Sequence, residues 1–206
     1  MSVALQGAIS QGILWGIMVL GVFITFRLLD FPDMTVDGSF ALGGSVVAVL
    51  VVGLHVDPII AVIAGMFAGA LAGAVTGFLT TVFEIPGILA GILTQISLWS
   101  INLRIMGKSN TPLLANATIF SEVSRITGLP QSTVSTLLGI VIAVVIVAVL
   151  YWFFGTEIGS ALRATGNNED MIRALGVNTN KTKMIALIIS NALVGLSGGL
   201  ICQSQK

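Results

Sequence analysis

The chain has 206 residues, of which 55% are hydrophobic and only 9% are charged, and its nine basic residues balance its nine acidic ones. A soluble domain carries about 25% charged residues, so this composition excludes a soluble cytosolic enzyme. Each membrane crossing takes about 20 residues, and the apolar residues suffice for five or six crossings. The sequence predicts an all-α polytopic membrane protein, with about six transmembrane helices in a single domain over residues 1–206.

Several classes of partner and chemistry are not expected. A net charge of zero offers no basic patch for a phosphate backbone, so nucleic acid is excluded as a partner. The chain contains no G-x-x-x-x-G-K-[ST] phosphate loop. Its one cysteine, Cys202, and its one histidine, His55, form neither a disulfide nor a metal site of recognisable spacing. We therefore predict no metal and no cofactor.

The second apolar run differs from the others, because it is too short to cross a membrane alone. It follows a polar stretch, residues 30–39, and such an interruption is tolerated at membrane depth only where it is buried in protein or lines a watery cavity. One broken or re-entrant segment beside a permeation path is therefore expected. The apolar runs cover residues 10–29, 40–54, 58–83, 87–103, 134–154 and 184–202.

The third run carries glycine at every fourth position: Gly65, Gly69, Gly73 and Gly77. This spacing puts the glycines on one helix face, where a neighbouring backbone can approach closely. The pattern predicts helix packing, either within one subunit or, as the less favoured alternative, at a dimer seam.

Two polar connections separate the later spans. Residues 104–133 contain a short amphipathic segment with Thr118 as a possible N-cap and Gly128 just past its end. Residues 155–183 contain four basic residues against three in the first connection. By the positive-inside bias, residues 155–183 are predicted to be cytoplasmic and residues 104–133 extracytoplasmic. The N-terminus then lies outside if all five preceding runs cross.

The second connection also predicts a short helix between Gly166 and Gly176. Asn168 suits the N-cap, two acidic residues follow it, and Gly176 can end the helix. Such a helix exposes Met171, Ile172 and Leu175 outside the membrane, where a partner's groove can grip them. The alternative is a solvated loop lying on the lipid headgroups.

Residues 159–176, GSALRATGNNEDMIRALG, resemble the cytoplasmic coupling segment of ABC importer permeases of the branched-chain amino acid and ribose type. Three further segments resemble that family in the same order: FPDMTVDGSFALGGS at 31–45, IPGILAGILT at 85–94 and INLRIMG at 101–107. The third of these is similar to the subgroup associated with uptake of tryptophan-like amino acids. The resemblance covers residues 7–206.

The resemblance implies a type II ABC importer-like fold in the plasma membrane of a prokaryote. It also implies three kinds of partner: a second permease subunit, cytoplasmic ATPase subunits that grip the coupling segment, and an extracytoplasmic solute-binding protein. ATP hydrolysis would belong to the ATPase, so this chain is not itself expected to be an enzyme. The coupling residues carried over are Arg163, Ala164, Gly166, Asn167, Asn168, Arg173 and Gly176.

Polar residues within the spans are the candidates for the translocation path, because a polar group exposed to lipid is costly. One group lies in the broken segment, and another shares a face of the fourth run through spacings of four and three residues. An aromatic plane flanked by amides suits a small amphipathic solute, preferably an amino acid. The alternative for Gln95 and Asn102 is hydrogen bonding between helices. The candidates are Asp33, Thr35, Asp37, Ser39, Gln95, Trp99 and Asn102.

Two other functions are weaker alternatives. An ion-coupled secondary transporter usually buries carboxylates within its spans, whereas the acidic residues here lie near span ends or in the broken segment. A membrane hydrolase needs a nucleophile paired with a base, and His55 has no such motif nearby. Members of the resembled family carry further spans after the segment matching 184–202, so the chain is expected to be short at its C-terminus.

Overall fold

A computed structural model of the chain describes residues 3–108, 111–114 and 116–205. Parts of the predicted 104–133 connection and both ends of the predicted domain thus lie outside the described residues. The described part is helical and contains no strand, which confirms the all-α prediction. Its helices are α1 (Val3–Phe23, continued by a π-helical turn, Ile24–Leu28), α2 (Val36–Gly53), α3 (Pro58–Thr81), α4 (Gly87–Met106), α5 (Ile119–Thr127), α6 (Gln131–Phe154), α7 (Glu157–Asn167), α8 (Glu169–Ala174) and α9 (Thr179–Ser204).

In the described part of the chain, six helices are long and apolar enough to span a membrane: α1 with its π turn, α2, α3, α4, α6 and α9. The second run, residues 40–54, was predicted to be too short to cross alone, but α2 is longer than that run. Four residues of the polar stretch form the first turn of α2, which gives it 18 residues. Its length is then about 27 Å, close to the thickness of a bilayer core.

Helix α9 forms the centre of the bundle and packs against α1, α2 and α3. Small residues allow this close contact. Ser197 donates to the Leu14 carbonyl at 2.7 Å and Ser190 to the Gly21 carbonyl at 2.8 Å, so α1 and α9 run antiparallel. A larger share of α9 is buried than of any other candidate span among the described residues.

The glycine stripe of α3 faces this chain's own helices. Gly69 packs on the α9 backbone beside Asn191, and Gly73 packs beside Leu187. A Cβ on Gly65 would lie 3.0 Å from the Gly43 carbonyl oxygen of α2. The stripe therefore accommodates α9 and α2 inside one subunit.

The loops collect at two ends of the bundle. At one end, which we call the α8 end, Gly166 of α7 touches Leu28, and Gly87 at the start of α4 touches Phe31. At the other, the α5 end, Gln203 of α9 accepts from the Ile119 amide of α5 and donates to the Pro58 carbonyl of α3, both at 3.0 Å. Successive spans therefore alternate in direction.

A non-helical segment, residues 29–35, connects α1 to α2. It lies beside the first half of α9, because Ser39 in the first turn of α2 donates to Asn191, at the middle of α9, at 2.6 Å. Asn191 is about 18 Å along α9 from its start. Helix α2 thus begins deep in the bundle, and the predicted broken segment is confirmed.

Candidate functional site

Helix α7 lies at the α8 end and is fixed against the end of α1. Thr156 caps it by accepting from the Gly159 amide at 3.3 Å, and Leu162 is fully buried. Gly166 was predicted to mark one end of the short helix that follows, and this is wrong. It lies in the last turn of α7, where a Cβ would come within 2.8 Å of the Leu29 Cα. Its role is close packing on the α1–α2 connection.

The short helix predicted after it is α8. Asn168 caps it by accepting from the Met171 amide at 3.0 Å, and Gly176 follows the helix with φ of 85°, a conformation that favours glycine. Ile172 was predicted to be exposed, but it is 6% exposed and packs inward. Met171 and Leu175 are 56% and 68% exposed. We call this pair the α8 surface.

Glu169 ties α8 to α9. Its carboxylate accepts from Arg173 of α8 at 2.9 Å and from Lys183 of α9 at 2.6 Å. Burial alone would raise the pKa of Glu169, but the hydrogen bond and charge of Lys183, with Thr179 and Arg173, outweigh it and lower the pKa below its ordinary value. The ionised carboxylate therefore holds α8 in place at neutral pH.

Acidification is expected to loosen α8. Because the folded pKa of Glu169 is depressed, its contribution is present above the ordinary carboxyl pKa and is lost as pH falls through the folded pKa. The group is partly exposed, so we expect an effect below about 1 kcal/mol. The protection of the α8 amides against hydrogen exchange, relative to the intrinsic exchange rate at each pH, should fall at low pH, and E169Q should show the same loss of protection at neutral pH. D170N removes an exposed carboxylate of the same helix and serves as the control; an equal loss of protection in D170N would contradict the assignment.

The other predicted coupling residues are spread along α7 and α8. Arg163 is exposed, and its guanidinium donates to the Phe154 carbonyl at the end of α6 at 2.9 Å. Ala164 accepts the Asn168 amide at 3.0 Å, and Asn167 is exposed. A cavity of about 880 Å³ opens beside Arg173. It lies between the α3–α4 loop and the turn before α9, and mainly polar residues line it.

Three predicted path residues form a buried network where α2 begins. Asp33, which is 1% exposed, accepts the Thr35 amide at 2.9 Å and the Asn191 side-chain amide at 2.7 Å. The Ser39 hydroxyl donates a hydrogen bond to the side-chain carbonyl of Asn191. The hydroxyls of Thr35 and Thr76 lie 2.7 Å apart. Sequence reasoning missed Thr76, whose only signal is its position next to the glycine stripe. Every carboxylate oxygen of Asp33 thus has a donor.

The other four path residues surround an open pocket of about 420 Å³ between α2 and α4. Gln95 donates to the Asp37 carboxylate over a long 3.4 Å, and Trp99 is 71% exposed. Asn102 is buried; its amide lies 3.4 Å from the Gly38 carbonyl. The structure therefore divides the predicted path residues into a buried network and an accessible pocket.

Comparison with known proteins reveals a consistent set of relatives. The sequence profile of the family described as "Branched-chain amino acid transport system / permease component" matches residues 4–206. A tyrosine transport system permease protein of Clostridioides difficile is 40% identical over 195 residues, which cover 94% of this chain and 62% of that protein. A ribose import permease protein of Escherichia coli is 31% identical over 186 residues, or 88% of this chain and 56% of that protein.

A third relative, a probable branched-chain amino acid transport permease protein of Methanocaldococcus jannaschii, is 27% identical over an alignment of 234 positions, which covers 98% of this chain and 66% of that protein. The chain thus spans 56% to 66% of the length of these curated relatives. No solved structure matches it.

Proposed function

The chain belongs to the family of branched-chain amino acid transport permease components, and from this premise we propose that it carries an amino acid through the membrane as a subunit of an ATP-driven importer. A cytoplasmic ATPase would power transport, an extracytoplasmic solute-binding protein would deliver the substrate, and a second permease subunit would complete the path. The observation that carries the proposal is the α8 surface, in which exposed Met171 on a capped helix outside the spans is joined by exposed Leu175 directly after that helix.

Charge supports placing the α8 end in the cytoplasm of a prokaryotic cell. The described residues near that end include five basic side chains, against three near the α5 end, as the positive-inside bias favours. The N-terminus then faces outward. The two sets are Arg27, Arg163, Arg173, Lys181 and Lys183 at the α8 end, and Arg104, Lys108 and Arg125 at the α5 end.

Coupling through α8 has a physical route. The α8 surface offers apolar contacts to an ATPase groove, while Ile172 and the Glu169–Lys183 ion pair join α8 to the bundle. Lys183 belongs to α9, and Asn191 of the same helix holds the start of α2. A displacement of α8 would therefore be transmitted along α9 to the broken segment.

An amino acid, preferably an aromatic one, is the proposed substrate. The relative from Clostridioides difficile is named for tyrosine transport. The pocket beside Trp99 offers an aromatic ring together with amides and a carboxylate, which suits a solute with both polar and apolar parts.

The test places a charge on the α8 surface. L175E in the full chain, co-expressed with its ATPase, is expected to reduce co-purification of the ATPase and ATP-dependent amino acid uptake by at least about tenfold, because a buried unpaired charge costs more than 1.4 kcal/mol. The matched control is I126E on α5, which is 82% exposed at the opposite end.

I126E should retain ATPase binding. Normal ATPase binding and uptake in L175E would overturn the coupling role. Uptake that needs no ATP and that an ionophore abolishes would indicate a secondary transporter instead.

A further inference from the structure

Asp37 is an exposed carboxylate at the depth of the bundle's middle. It lies two residues before Ser39, which bonds to Asn191 halfway along α9. A carboxylate facing lipid at that depth costs about 3 kcal/mol. The face of α2 and α4 that carries Asp37 must therefore front water or protein rather than lipid. By contrast, α6 exposes a continuous apolar surface suited to lipid.

The negative charge of Asp37 has no positively charged partner among the described residues. Among the residues that the structure describes, no basic side chain lies within ion-pair distance of it. Within the described part of the chain, the one side chain that donates a hydrogen bond to Asp37 is Gln95, which is neutral and 3.4 Å away. A cation entering the pocket would pair with this carboxylate without displacing a charged partner.

The pocket joins that carboxylate to an aromatic and apolar wall. Trp99 stands one helical turn beyond Gln95 on α4, and most of its side chain is accessible. Ala41, Leu103 and Met106 form the apolar part of the wall, and Asn102 and Gly38 complete it. None of the described residues that line the pocket is Lys or Arg, so none of them pairs by charge with a ligand's carboxylate.

We propose that this pocket recognises the ammonium group and aromatic ring of its ligand as the substrate passes, with Asp37 pairing with the ammonium and Trp99 stacking on the ring or on the cation. The ligand class is an aromatic α-amino acid or aromatic amine. This specificity rests on the proposed transport function. Since the pocket contributes no cation, the ammonium is the required group and the ligand's carboxylate is dispensable.

The test uses the full chain in lipid nanodiscs with Trp99 as its one tryptophan. The chain has three tryptophans, and W15F and W152F remove the other two. Trp15 stacks on Phe40 at 5.0 Å between ring centroids, a contact that phenylalanine can keep. Tyramine, L-tyrosine and 3-(4-hydroxyphenyl)propionate are then titrated while Trp99 fluorescence is followed.

Tyramine and L-tyrosine are expected to give saturable changes, whereas the propionate, which lacks the ammonium, should give none. D37N should weaken tyramine binding by at least about tenfold, because a charge-assisted pair is lost. D37E should restore binding, which guards against a folding defect in D37N. E122Q removes an exposed carboxylate at the α5 end and should bind normally.

Equal binding of the propionate and tyramine, or unchanged affinity in D37N, would overturn the proposal. So would an absence of binding by tyramine and L-tyrosine. None of these results bears on whether the ATPase co-purifies with the chain. The proposed ligand specificity can therefore be wrong while the proposed transport function is right. If L175E still bound the ATPase normally while tyramine binding depended on Asp37, the ligand specificity would stand and the coupling role would be wrong.

Discussion

Replacing Gly73 with leucine is expected to separate α3 from α9 and to lower the free energy of unfolding by about 3 kcal/mol or more. A Cβ at this position would lie 2.9 Å from the Asn191 Cβ and would also meet the Leu187 carbonyl. The obstacle is helix backbone, which cannot rotate away as a flexible side chain can. Unfolding in mixed detergent micelles titrated with SDS measures the loss.

The matched control is G12L in α1. Gly12 is exposed, and no other described residue comes within 4 Å of a Cβ built there. G12L introduces the same side chain into another spanning helix and should leave the midpoint of unfolding almost unchanged. Equal stability of G73L and G12L would mean that the α3–α9 contact does not hold the bundle together.

The second large effect is expected at Asn191. N191L removes the side-chain amide that donates to Asp33, and it also removes the acceptor for Ser39. A buried carboxylate that loses a donor is expected to cost about 2–4 kcal/mol. N180L on the exposed first turn of α9 makes the same chemical change and should be nearly neutral. The same SDS titration measures both variants.

A double mutant separates the charge from the packing. D33N alone should destabilise the protein, because the carboxylate accepts two short hydrogen bonds. In the N191L background, D33N should instead recover part of the lost stability, since it neutralises a charge that has lost a donor. Additive losses in the double mutant would show that Asp33 and Asn191 do not interact.

Hydropathy predicted the number of spans because each crossing demands a long apolar run whatever its partners are. It also located the broken segment, since residues 30–39 are too polar to continue a lipid-facing helix. The exact start of α2 was not predictable. Val36 begins it deep in the bundle because Asn191, 155 positions later in sequence, receives the bond from Ser39 and fixes the turn there.

The α8 end shows the same division between local and tertiary signals. The Asn168 cap and the glycine after α8 depend on neighbouring residues, so sequence reasoning found them. The burial of Ile172 and the packing of Gly166 on Leu28 and Leu29 depend on tertiary contacts, which no local pattern reveals.

Helical spacing put Gln95, Trp99 and Asn102 on one face, and they do line one pocket. Helical spacing could not predict that Asp33 is buried in a hydrogen-bond network while Asp37 is exposed in the pocket. Asp33 lies in irregular backbone, where no period assigns a direction to a side chain, and Asp37 lies in the first turn of a helix. That they serve the path remains a prediction.

The central position of α9 has a consequence for biogenesis. Ribosomes synthesise α1, α2 and α3 well before α9, so the grooves that α9 fills are empty while the earlier spans enter the membrane. During that interval Asp33 lacks Asn191, and the Gly69 and Gly73 faces have only lipid against them. Insertion of α9 is therefore the step that turns a loose set of spans into a bundle, and nascent chains stalled before it should be prime targets for membrane proteases.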